Sequence, residues 1–283
     1  MNNKTEISWT IHNYCTGGCS YCPSKFWGGG IRHFDEYISV AKKMIEHFNS
    51  MGRIINWKFD GGEPLEFFEF PMLLKLCKEN GGTTTLSTNG GKLWLDWFAI
   101  EPNLDNLILT YHYWQNPNLI NYIIQTFKSK STTFKMMVPI RPDYFDEDWN
   151  RAELVQEMHN MHVEKTALYK SAEYMLGLLP YTENQLEKLF GKEWVDKNRG
   201  KQEETFKQKW VEILETSPSF TGKKCFAGIE KLKISAEGYI SGSDCNNTNH
   251  GNIFKNFDLL KEPEPCKMQA CTSIYDQKIT KII

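Results

Sequence analysis

The sequence predicts an α/β protein in which helices cover a parallel sheet, followed by a small C-terminal module that contains cysteines. Up to about residue 170, β-like runs alternate with amphipathic helical runs, which is the pattern of parallel strands joined by helices. Of the eight cysteines, three lie within residues 15–22 and four lie within the last sixty residues. These two observations together predict a sheet-based body and a second cysteine site.

Composition limits the class of protein. The chain has 283 residues, of which 40% are hydrophobic and 24% charged, and its formal net charge is −2. These values exclude a disordered chain, and the near-neutral balance argues against a nucleic-acid-binding protein. No apolar run approaches the roughly 18 residues of a membrane span, and the start MNNKTEISWT lacks the apolar core of a signal peptide. We therefore expect a soluble cytoplasmic protein, in which cysteines bind metal more often than they form disulfides.

Six extended runs define the predicted strands, at residues 5–12, 53–61, 83–89, 104–112, 132–140 and 162–170. Amphipathic runs between them predict helices at residues 35–51, 70–80, 91–100, 116–129 and 148–161. In folds of this kind, ligands bind beyond the carboxyl ends of the strands. The segments CTGGCSYC, DGGEP and STNGG each follow a strand directly, so we expect all three at the same end of the sheet.

The remaining chain divides into two parts. Residues 181–222 are highly charged and helical in pattern, with Thr182 as a predicted N-cap, and this segment is either a solvated linker or a lid. Residues 223–283 form the second module, in which KLKISAEGYISGS alternates like a hairpin that turns at residues 236–238. About sixty residues build little core, so a metal site is a plausible source of stability here.

The numbers of cysteines suggest two kinds of metal site. Cys15, Cys19 and Cys22 make a group of three, which suits an iron–sulfur cluster with one iron open to another ligand. With His12 added, the same three thiols could instead bind zinc. Cys77 stands alone in FPMLLKLCKEN and is interpreted as a small core residue.

The C-terminal cysteines make a group of four, which is the ligand number of a closed metal site. Tetrahedral zinc and a fully ligated iron–sulfur cluster both satisfy this number, and both interpretations stay open. The group consists of Cys225, Cys245, Cys266 and Cys271.

The spacing C-x3-C-x2-C, placed directly after the first predicted strand, resembles the radical S-adenosylmethionine (SAM) superfamily. Gly61-Gly62-Glu63-Pro64 after the second strand is similar to the GGEP motif of that family, and Ser87-Thr88-Asn89-Gly90 is similar to its TNG segment. Tyr21 stands before the third cysteine, where the family typically has an aromatic residue. The resemblance implies a partial (β/α)6 TIM-like barrel over about residues 1–180.

The C-terminal module resembles the SPASM/twitch extensions of the same superfamily. The matching features are the start Cys225-Phe226-Ala227-Gly228, the hairpin residues Leu232, Ile234 and Gly238, Cys245, and the later Gly251-Asn252-Ile253. A full SPASM domain supplies cysteines for two auxiliary clusters, whereas this chain has four. It is therefore similar to the shorter twitch form with one auxiliary cluster.

The resemblance implies the cofactors and the chemistry. Cys15, Cys19 and Cys22 would ligate a 4Fe–4S cluster whose open iron binds SAM, and the four C-terminal cysteines would ligate a second, auxiliary 4Fe–4S cluster. One electron then cleaves SAM and yields a 5′-deoxyadenosyl radical that abstracts hydrogen from an unactivated C–H bond. An electron donor such as a flavodoxin or ferredoxin is implied as a partner.

The resemblance also suggests which residues surround SAM. In the segment Gly61–Pro64, the glycines would let backbone carbonyls approach the SAM ammonium, and Glu63 would hold loop or ligand amines. Tyr21 is placed in the same cofactor site. Ser87 and Asn89 carry groups suited to the ribose or the carboxylate, although a simple β-to-α turn explains them as well. Lys135, on the fifth strand, is either a partner of the SAM carboxylate or a salt-bridged surface lysine.

No acid or base is identified by a motif, but the end of the fourth strand supplies candidates for substrate contact. His112 and Tyr113 lie there, with a hydrogen-bonded structural histidine as the alternative for His112. Trp27 follows the cysteine motif and is a candidate shield for its cluster.

Three functions are compatible with the sequence. The first is hydrogen abstraction from a small polar substrate, leading to oxidation or rearrangement, with the auxiliary cluster relaying an electron. We favour it because few residues precede the first strand, where many peptide maturases carry a leader-binding domain. The alternatives are a peptide or protein maturase of the same superfamily and a non-enzymatic zinc or iron–sulfur interaction module.

Overall fold

The structure is a computed structural model of the chain. It describes residues 3–22, 30–91, 96–169, 177–198, 219–242, 249–269, 271 and 276–282. Cys245 and Trp27 lie outside these ranges, so the predictions made for them are not addressed by the structure.

The helices and strands alternate along most of the chain. The strands are β1 Lys4–Thr10, β2 Ile54–Asp60, β3 Thr83–Thr88, β4 Asn106–Thr110, β5 Thr133–Ile140, β6 Val163–Ala167, β7 Lys224–Cys225, β8 Lys231–Ile234, β9 Tyr239–Ser241, β10 Asn249–Asn252, β11 Glu264–Pro265 and β12 Lys281–Ile282. The helices are α1 Phe34–Ser50, α2 Phe70–Glu79, α3 Trp97–Ile100, α4 Pro117–Phe127, α5 Phe145–His159, α6 Glu183–Phe190 and α7 Lys192–Asn198.

A nine-stranded sheet organises the fold, in the order β10-β9-β8-β1-β2-β3-β4-β5-β6. Strands β1 to β6 are parallel and follow the order of the chain. The prediction of a mixed α/β fold with a large parallel sheet is therefore confirmed.

The C-terminal hairpin is part of this sheet rather than a separate layer. β8 pairs in parallel with β1, from Glu6 opposite Lys231 to Trp9 opposite Ile234, and β9 and β10 continue the sheet antiparallel. A strand edge exposes unpaired backbone groups, and β8 pairs those of β1. The small remaining sheet, β11-β7-β12, carries Cys225.

The helix-facing side of the sheet is aromatic. Trp9, Trp57 and Phe59 alternate with more accessible residues along β1 and β2 and are at most 1% exposed. The rings of Trp57 and Phe59 stack at 5.9 Å, and Tyr37 of α1 lies 6.0 Å from Trp9. Burial of such large apolar side chains is the main source of stability for this layer and holds the carboxyl ends of the strands in place.

The opposite side of the sheet is polar. Ion pairs join Lys58 to Glu6 at 2.6 Å and Lys135 to Glu164 at 2.5 Å, and all four side chains are at least one-third exposed. Branched apolar side chains fill the interior of a closed (β/α)8 barrel. The inner face of this sheet is instead a polar, accessible surface.

Some helices differ from their predicted ranges. α3 begins only at Trp97, capped by the Asp96 side chain, and residues 92–95 lie outside the described ranges. α5 begins at Phe145, earlier than predicted, with three acidic residues in its first turn, where negative charge is favourable.

The charged segment begins with helices α6 and α7, and Thr182 caps α6 as predicted. Residues 199–218 lie outside the described ranges, so the lid remains a prediction. A helix of the length and apolar character needed to cross a membrane does not occur in the described ranges.

The helix-facing side should dominate stability. Leu107 of β4 is fully buried, so Leu107→Ala should lower the free energy of unfolding by about 2–5 kcal/mol in urea denaturation. Ile54→Ala is the matched control because Ile54 is 41% exposed on β2, and it should cost less than about 0.5 kcal/mol. Equal losses for the two variants would contradict this assignment of the core.

Candidate active site

The cysteine loop after β1 is hydrogen-bonded to the DGGEP loop after β2. The backbone N–H of Gly62 donates to the His12 carbonyl at 2.8 Å, and that of Glu63 donates to the Tyr14 carbonyl at 2.9 Å. The ladder of the two parallel strands therefore continues into the loops. It fixes the start of the cysteine motif against the second predicted motif.

Gly62 is required for this approach of the two loops. A Cβ atom on Gly62 would lie 2.2 Å from the Tyr14 carbonyl oxygen, and one on Gly61 would lie 2.6 Å from the His12 carbonyl oxygen. Both distances are too short for real contacts. In the described chain the glycines thus bring the DGGEP loop close to the cysteine loop.

Glu63 joins the DGGEP loop to the loop after β3. Its carboxylate is 1% exposed and accepts hydrogen bonds from the Leu65 N–H at 2.9 Å, the Thr88 hydroxyl at 2.6 Å and the Asn89 N–H at 2.7 Å. Burial raises the pKa of Glu63 to about 7, although these hydrogen bonds oppose the shift. Pro64, the next residue, is buried and begins a short 3-10 turn.

The loop after β3 also reaches the first cysteine. Asn89 is 9% exposed, and its side-chain Nδ2 donates to Cys15 Sγ at 3.6 Å. The backbone N–H of Gly17 donates to the same sulfur at 3.3 Å. Ser87, by contrast, lies half-buried on the polar inner face of β3.

The loop after β4 contacts the second cysteine. Trp114 Nε1 donates to Cys19 Sγ at 3.1 Å, and His112 Nδ1 lies 3.5 Å from the same sulfur. The Trp114 ring stacks on the His112 ring, with centroids 5.7 Å apart and planes within 6°. Gly17 packs so close to Trp114 that a Cβ atom there would lie 2.6 Å from the indole. Cys19 is consequently enclosed by aromatic groups.

Tyr21 and His112 form a pair beside the cysteines. The Tyr21 hydroxyl lies 2.5 Å from His112 Nδ1, and the two rings stack at 6.0 Å. Burial, with the charge of Arg151, lowers the pKa of His112 to about 4, and burial raises the pKa of Tyr21 well above its usual range. At neutral pH the imidazole is therefore neutral and the phenol protonated, as suits a hydrogen-bonded structural pair.

Tyr113 lies outside this pair and is more accessible. It is 41% exposed and rests on the Arg141 guanidinium, 3.9 Å from the ring centre. Arg141 in turn binds the buried carboxylate of Asp148 through two side-chain hydrogen bonds of 2.9 Å, and Arg151 binds it at 2.6 Å. Burial opposes ionisation of Asp148, but the Arg141 hydrogen bonds outweigh it and the pKa of Asp148 is lowered. This triad supports the Tyr113 side of the site.

The thiols of the cysteine loop are close enough to affect one another. Burial raises the pKa of Cys22 to about 11, with further contributions from Cys19 and Cys15. Burial also raises the pKa of Cys15. Protonated thiols release protons when they bind metal, so metal loading at this loop is expected to be pH-dependent.

The described residues do not form a preassembled site for a single metal ion. Within those ranges, no group of three or more His, Cys, Asp or Glu side chains is placed as ligands of one metal ion. His12 accepts a hydrogen bond at Nδ1 from the Tyr14 N–H at 3.1 Å. Cys245 lies outside the described ranges, so the zinc and iron–sulfur interpretations of the two cysteine groups both stay open.

Two of the C-terminal cysteines, Cys225 and Cys266, lie in a small core of their own. Cys225, Cys266 and Cys271 are each at most 8% exposed, and burial raises the pKa of the Cys225 thiol. β11, which ends just before Cys266, pairs with β7, which contains Cys225. A buried ion pair between Lys231 and Asp276, at 3.1 Å, lies in the same module. The structure therefore gathers three of the four predicted thiols.

Lys135 lies apart from the cysteine loop. It is the third residue of β5, far from the carboxyl end of that strand, and it is exposed. Its Nζ pairs with Glu164 at 2.5 Å. This ion pair agrees with the interpretation of Lys135 as a salt-bridged surface lysine.

Comparison with known proteins identifies structures of the same fold. No family model and no curated protein matches the chain. A solved structure of anSMEcpe with bound AdoMet matches with a TM-score of 0.52 and 17% identity, over 90% of this chain and 79% of that one. SuiB of Streptococcus suis bound to S-adenosylmethionine matches with a TM-score of 0.52 and 13% identity, over 89% of this chain and 64% of SuiB.

The fold is that of these AdoMet-bound proteins. SuiB bound to its precursor peptide SuiA also matches, with a TM-score of 0.50 and 15% identity, over 90% of this chain and 63% of that one. This chain thus spans slightly less than two thirds of SuiB. At these identities the likeness concerns the architecture alone, a mixed α/β fold with a large parallel sheet.

Sequence reasoning missed Trp114 and the role of Thr88. Trp114 stands two residues after His112, beyond the end of β4, where no motif marks it. The signal available in the sequence is its position, because residues that directly follow a predicted strand lie at the carboxyl ends of the strands, where ligands bind. Thr88 lies within the STNGG motif, but its bond to Glu63 is a tertiary contact between two loops.

The raised pKa of Glu63 predicts a pH dependence of stability in the metal-free protein. The folded protein holds the Glu63 proton up to about pH 7, whereas an unfolded glutamate loses it near pH 4.3. Stability should therefore fall as pH rises through this interval, by about 3 kcal/mol relative to Glu63→Gln. Urea denaturation between pH 4.5 and 7.5 measures this difference.

Glu79→Gln is the control, because the Glu79 side chain is 60% exposed on α2. Its free energy of unfolding should follow that of the wild type at every pH. Parallel pH profiles for wild type and Glu63→Gln would show that Glu63 is ionised throughout the interval.

Proposed function

We propose that this chain is a radical SAM enzyme that cleaves S-adenosylmethionine reductively and abstracts hydrogen from an unactivated C–H bond of a polar substrate. One observation carries the proposal. The cysteine loop, the DGGEP loop and the STNGG loop meet at the carboxyl ends of three neighbouring parallel strands and are joined there by hydrogen bonds. The fold shared with AdoMet-bound proteins supports it.

The residues present suit a 4Fe–4S cluster at the cysteine loop. Cys15 and Cys19 already accept hydrogen bonds, from Asn89 and Trp114 respectively, of the kind that orient metal-binding thiolates. When bound, such a cluster supplies one electron to SAM, which yields a 5′-deoxyadenosyl radical. The protein holds the three thiols, and the aromatic groups around Cys19 limit the access of water.

The SAM-binding residues are proposed from the same arrangement. The backbone of Gly61–Pro64 after β2 and the side chain of Asn89 after β3 contact the cysteine loop, and Ser87 lies on the inner face of β3 two residues before Asn89. Tyr21, within the cysteine loop, contacts His112 of the loop after β4. Lys135 remains the least supported member of the set, since Glu164 already pairs with it.

The substrate is proposed to be polar. The inner face of the sheet carries the exposed pairs Lys58–Glu6 and Lys135–Glu164, which favour polar groups over apolar ones. A small polar molecule is the first candidate. A peptide is the second, since the SuiB structure of the same fold is bound to a precursor peptide. Transfer of deuterium from labelled candidates into 5′-deoxyadenosine distinguishes the two.

The C-terminal thiols are proposed to ligate an auxiliary 4Fe–4S cluster. Cys225 and Cys266 belong to one buried core, and Cys266 and Cys271 are both close enough to Cys225 to affect the pKa of its thiol. Cys245 is the fourth ligand expected from the sequence. Four thiol ligands leave no iron open, which suits electron transfer rather than substrate binding. The electron donor is proposed to be a flavodoxin or ferredoxin.

Replacement of Cys15, Cys19 and Cys22 by alanine tests the catalytic site. After anaerobic reconstitution, the triple variant should lose one cluster and should release no 5′-deoxyadenosine from SAM and dithionite. Cys77→Ala is the matched control because Cys77 is fully buried on α2 and should keep both properties. Activity that survives in the triple variant would refute the proposal.

Replacement of Cys225 and Cys271 by alanine tests the auxiliary site. The iron content should fall by one cluster, about four irons per chain, while some SAM cleavage without substrate turnover survives. Iron analysis and 5′-deoxyadenosine assays measure the two effects separately. Unchanged iron content, or zinc bound at this module in the wild type, would refute the auxiliary cluster.

A further inference from the structure

Trp114 donates a hydrogen bond to a cysteine of the proposed cluster, and no function has yet been assigned to it. Its indole Nε1 lies 3.1 Å from Cys19 Sγ, and an indole N–H is a hydrogen-bond donor only. The direction of this bond is therefore settled, unlike that of the His112 contact with the same sulfur, which depends on the imidazole tautomer. We propose that Trp114 tunes and positions the catalytic cluster through a hydrogen bond to its Cys19 ligand, an inference that rests on the proposed function.

The indole of Trp114 is held by its bond to Cys19 and by contacts with His112 and Gly17. Its ring stacks on His112 with planes within 6°, and Gly17 packs against its benzo edge with no room for a side chain. The indole nevertheless remains 38% exposed, so it forms part of the wall between Cys19 and solvent. A donor held this firmly does not need to reorganise when the charge on the sulfur changes.

The expected effect has a definite sign. Reduction adds negative charge to a cluster and its thiolates, and a hydrogen-bond donor stabilises the more negative form. Removal of the indole N–H should therefore make reduction harder and the midpoint potential more negative. Greater access of water would shift the potential in the opposite direction, because solvent also stabilises the reduced, more charged form. The sign separates a lost hydrogen bond from a merely loosened wall.

Trp114→Phe tests the inference, because phenylalanine keeps a ring against His112 and removes the donor. The experiment is an EPR-monitored redox titration of the reconstituted full-length protein. The signal of the catalytic cluster is identified as the one that changes when SAM is added. We expect the ratio of reduced to oxidised cluster at fixed potential to fall about tenfold, which is a shift of about 59 mV for a one-electron couple.

Trp149→Phe is the matched control. It also removes an indole N–H bond, but that donor binds Glu153 on α5 at 2.5 Å. Its potential should equal that of the wild type. A Trp114→Phe potential equal to the wild type, or a less negative one, would overturn the inference.

A second measurement covers the case in which Trp114→Phe fails to load its cluster. For this measurement the wild-type protein is labelled with ¹⁵N in its indole nitrogens, and a Trp27→Phe variant labelled in the same way shows whether the tryptophan that follows Cys22 in the sequence contributes. Electron–nuclear double resonance of the reduced, SAM-responsive cluster should show coupling to an indole N–H in the wild type, and the coupling should persist in Trp27→Phe. Absence of that coupling would overturn the inference. Absence of any SAM-responsive cluster in the wild type would instead refute the proposed function.

Discussion

The carboxylate of Glu63 lies inside the protein and accepts three hydrogen bonds from two different loops. Burial of an ionisable group without partners costs several kcal/mol, so these donors are what make the position tolerable. Because Asn89 donates both to Glu63 and to Cys15, the same contacts determine where the first cysteine lies. The arrangement of the cysteine loop therefore depends on a bond between two neighbouring motifs.

The cysteine loop is supported by the loops after β2, β3 and β4, the next three strands of the sheet after β1. The loop after β2 pairs with its backbone, the loop after β3 donates to Cys15, and the loop after β4 donates to Cys19. Each support comes from the carboxyl end of a strand whose other side is anchored in the hydrophobic core. A site held in this way is organised before any ligand arrives, which favours catalysis by positioning.

The C-terminal module is linked to the same framework. β8 extends the sheet beyond β1, and β7, which carries Cys225, lies six residues before it in the sequence. The first group of cysteines thus follows β1 directly, and Cys225 lies in the small sheet β11-β7-β12, a short connection away from β8, the neighbour of β1. The pairing of β8 with β1 brings together parts of the chain that are more than 200 residues apart.

The sequence by itself determined the parts that depend on local pattern. Alternation of apolar and polar residues predicts β1 to β6, and the spacing of Cys15, Cys19 and Cys22 predicts a metal-binding loop, because strand periodicity and ligand spacing are encoded within a few residues. Glu63 and Asn89 were predicted from motifs, but as ligand-binding groups rather than as partners of each other. Helix α5 begins at Phe145 rather than at the predicted residue 148, because several acidic residues in this segment suit the first turn of a helix equally well.

Only the tertiary structure decided which groups meet. It paired β8 with β1, placed Trp114 on Cys19 and gave Lys135 a carboxylate partner in Glu164. These contacts join residues 29 to 225 positions apart, and no local pattern specifies them. The physical reason is that strand order and loop packing are selected by the burial of the whole sheet, whereas motifs record only the chemistry that each segment carries.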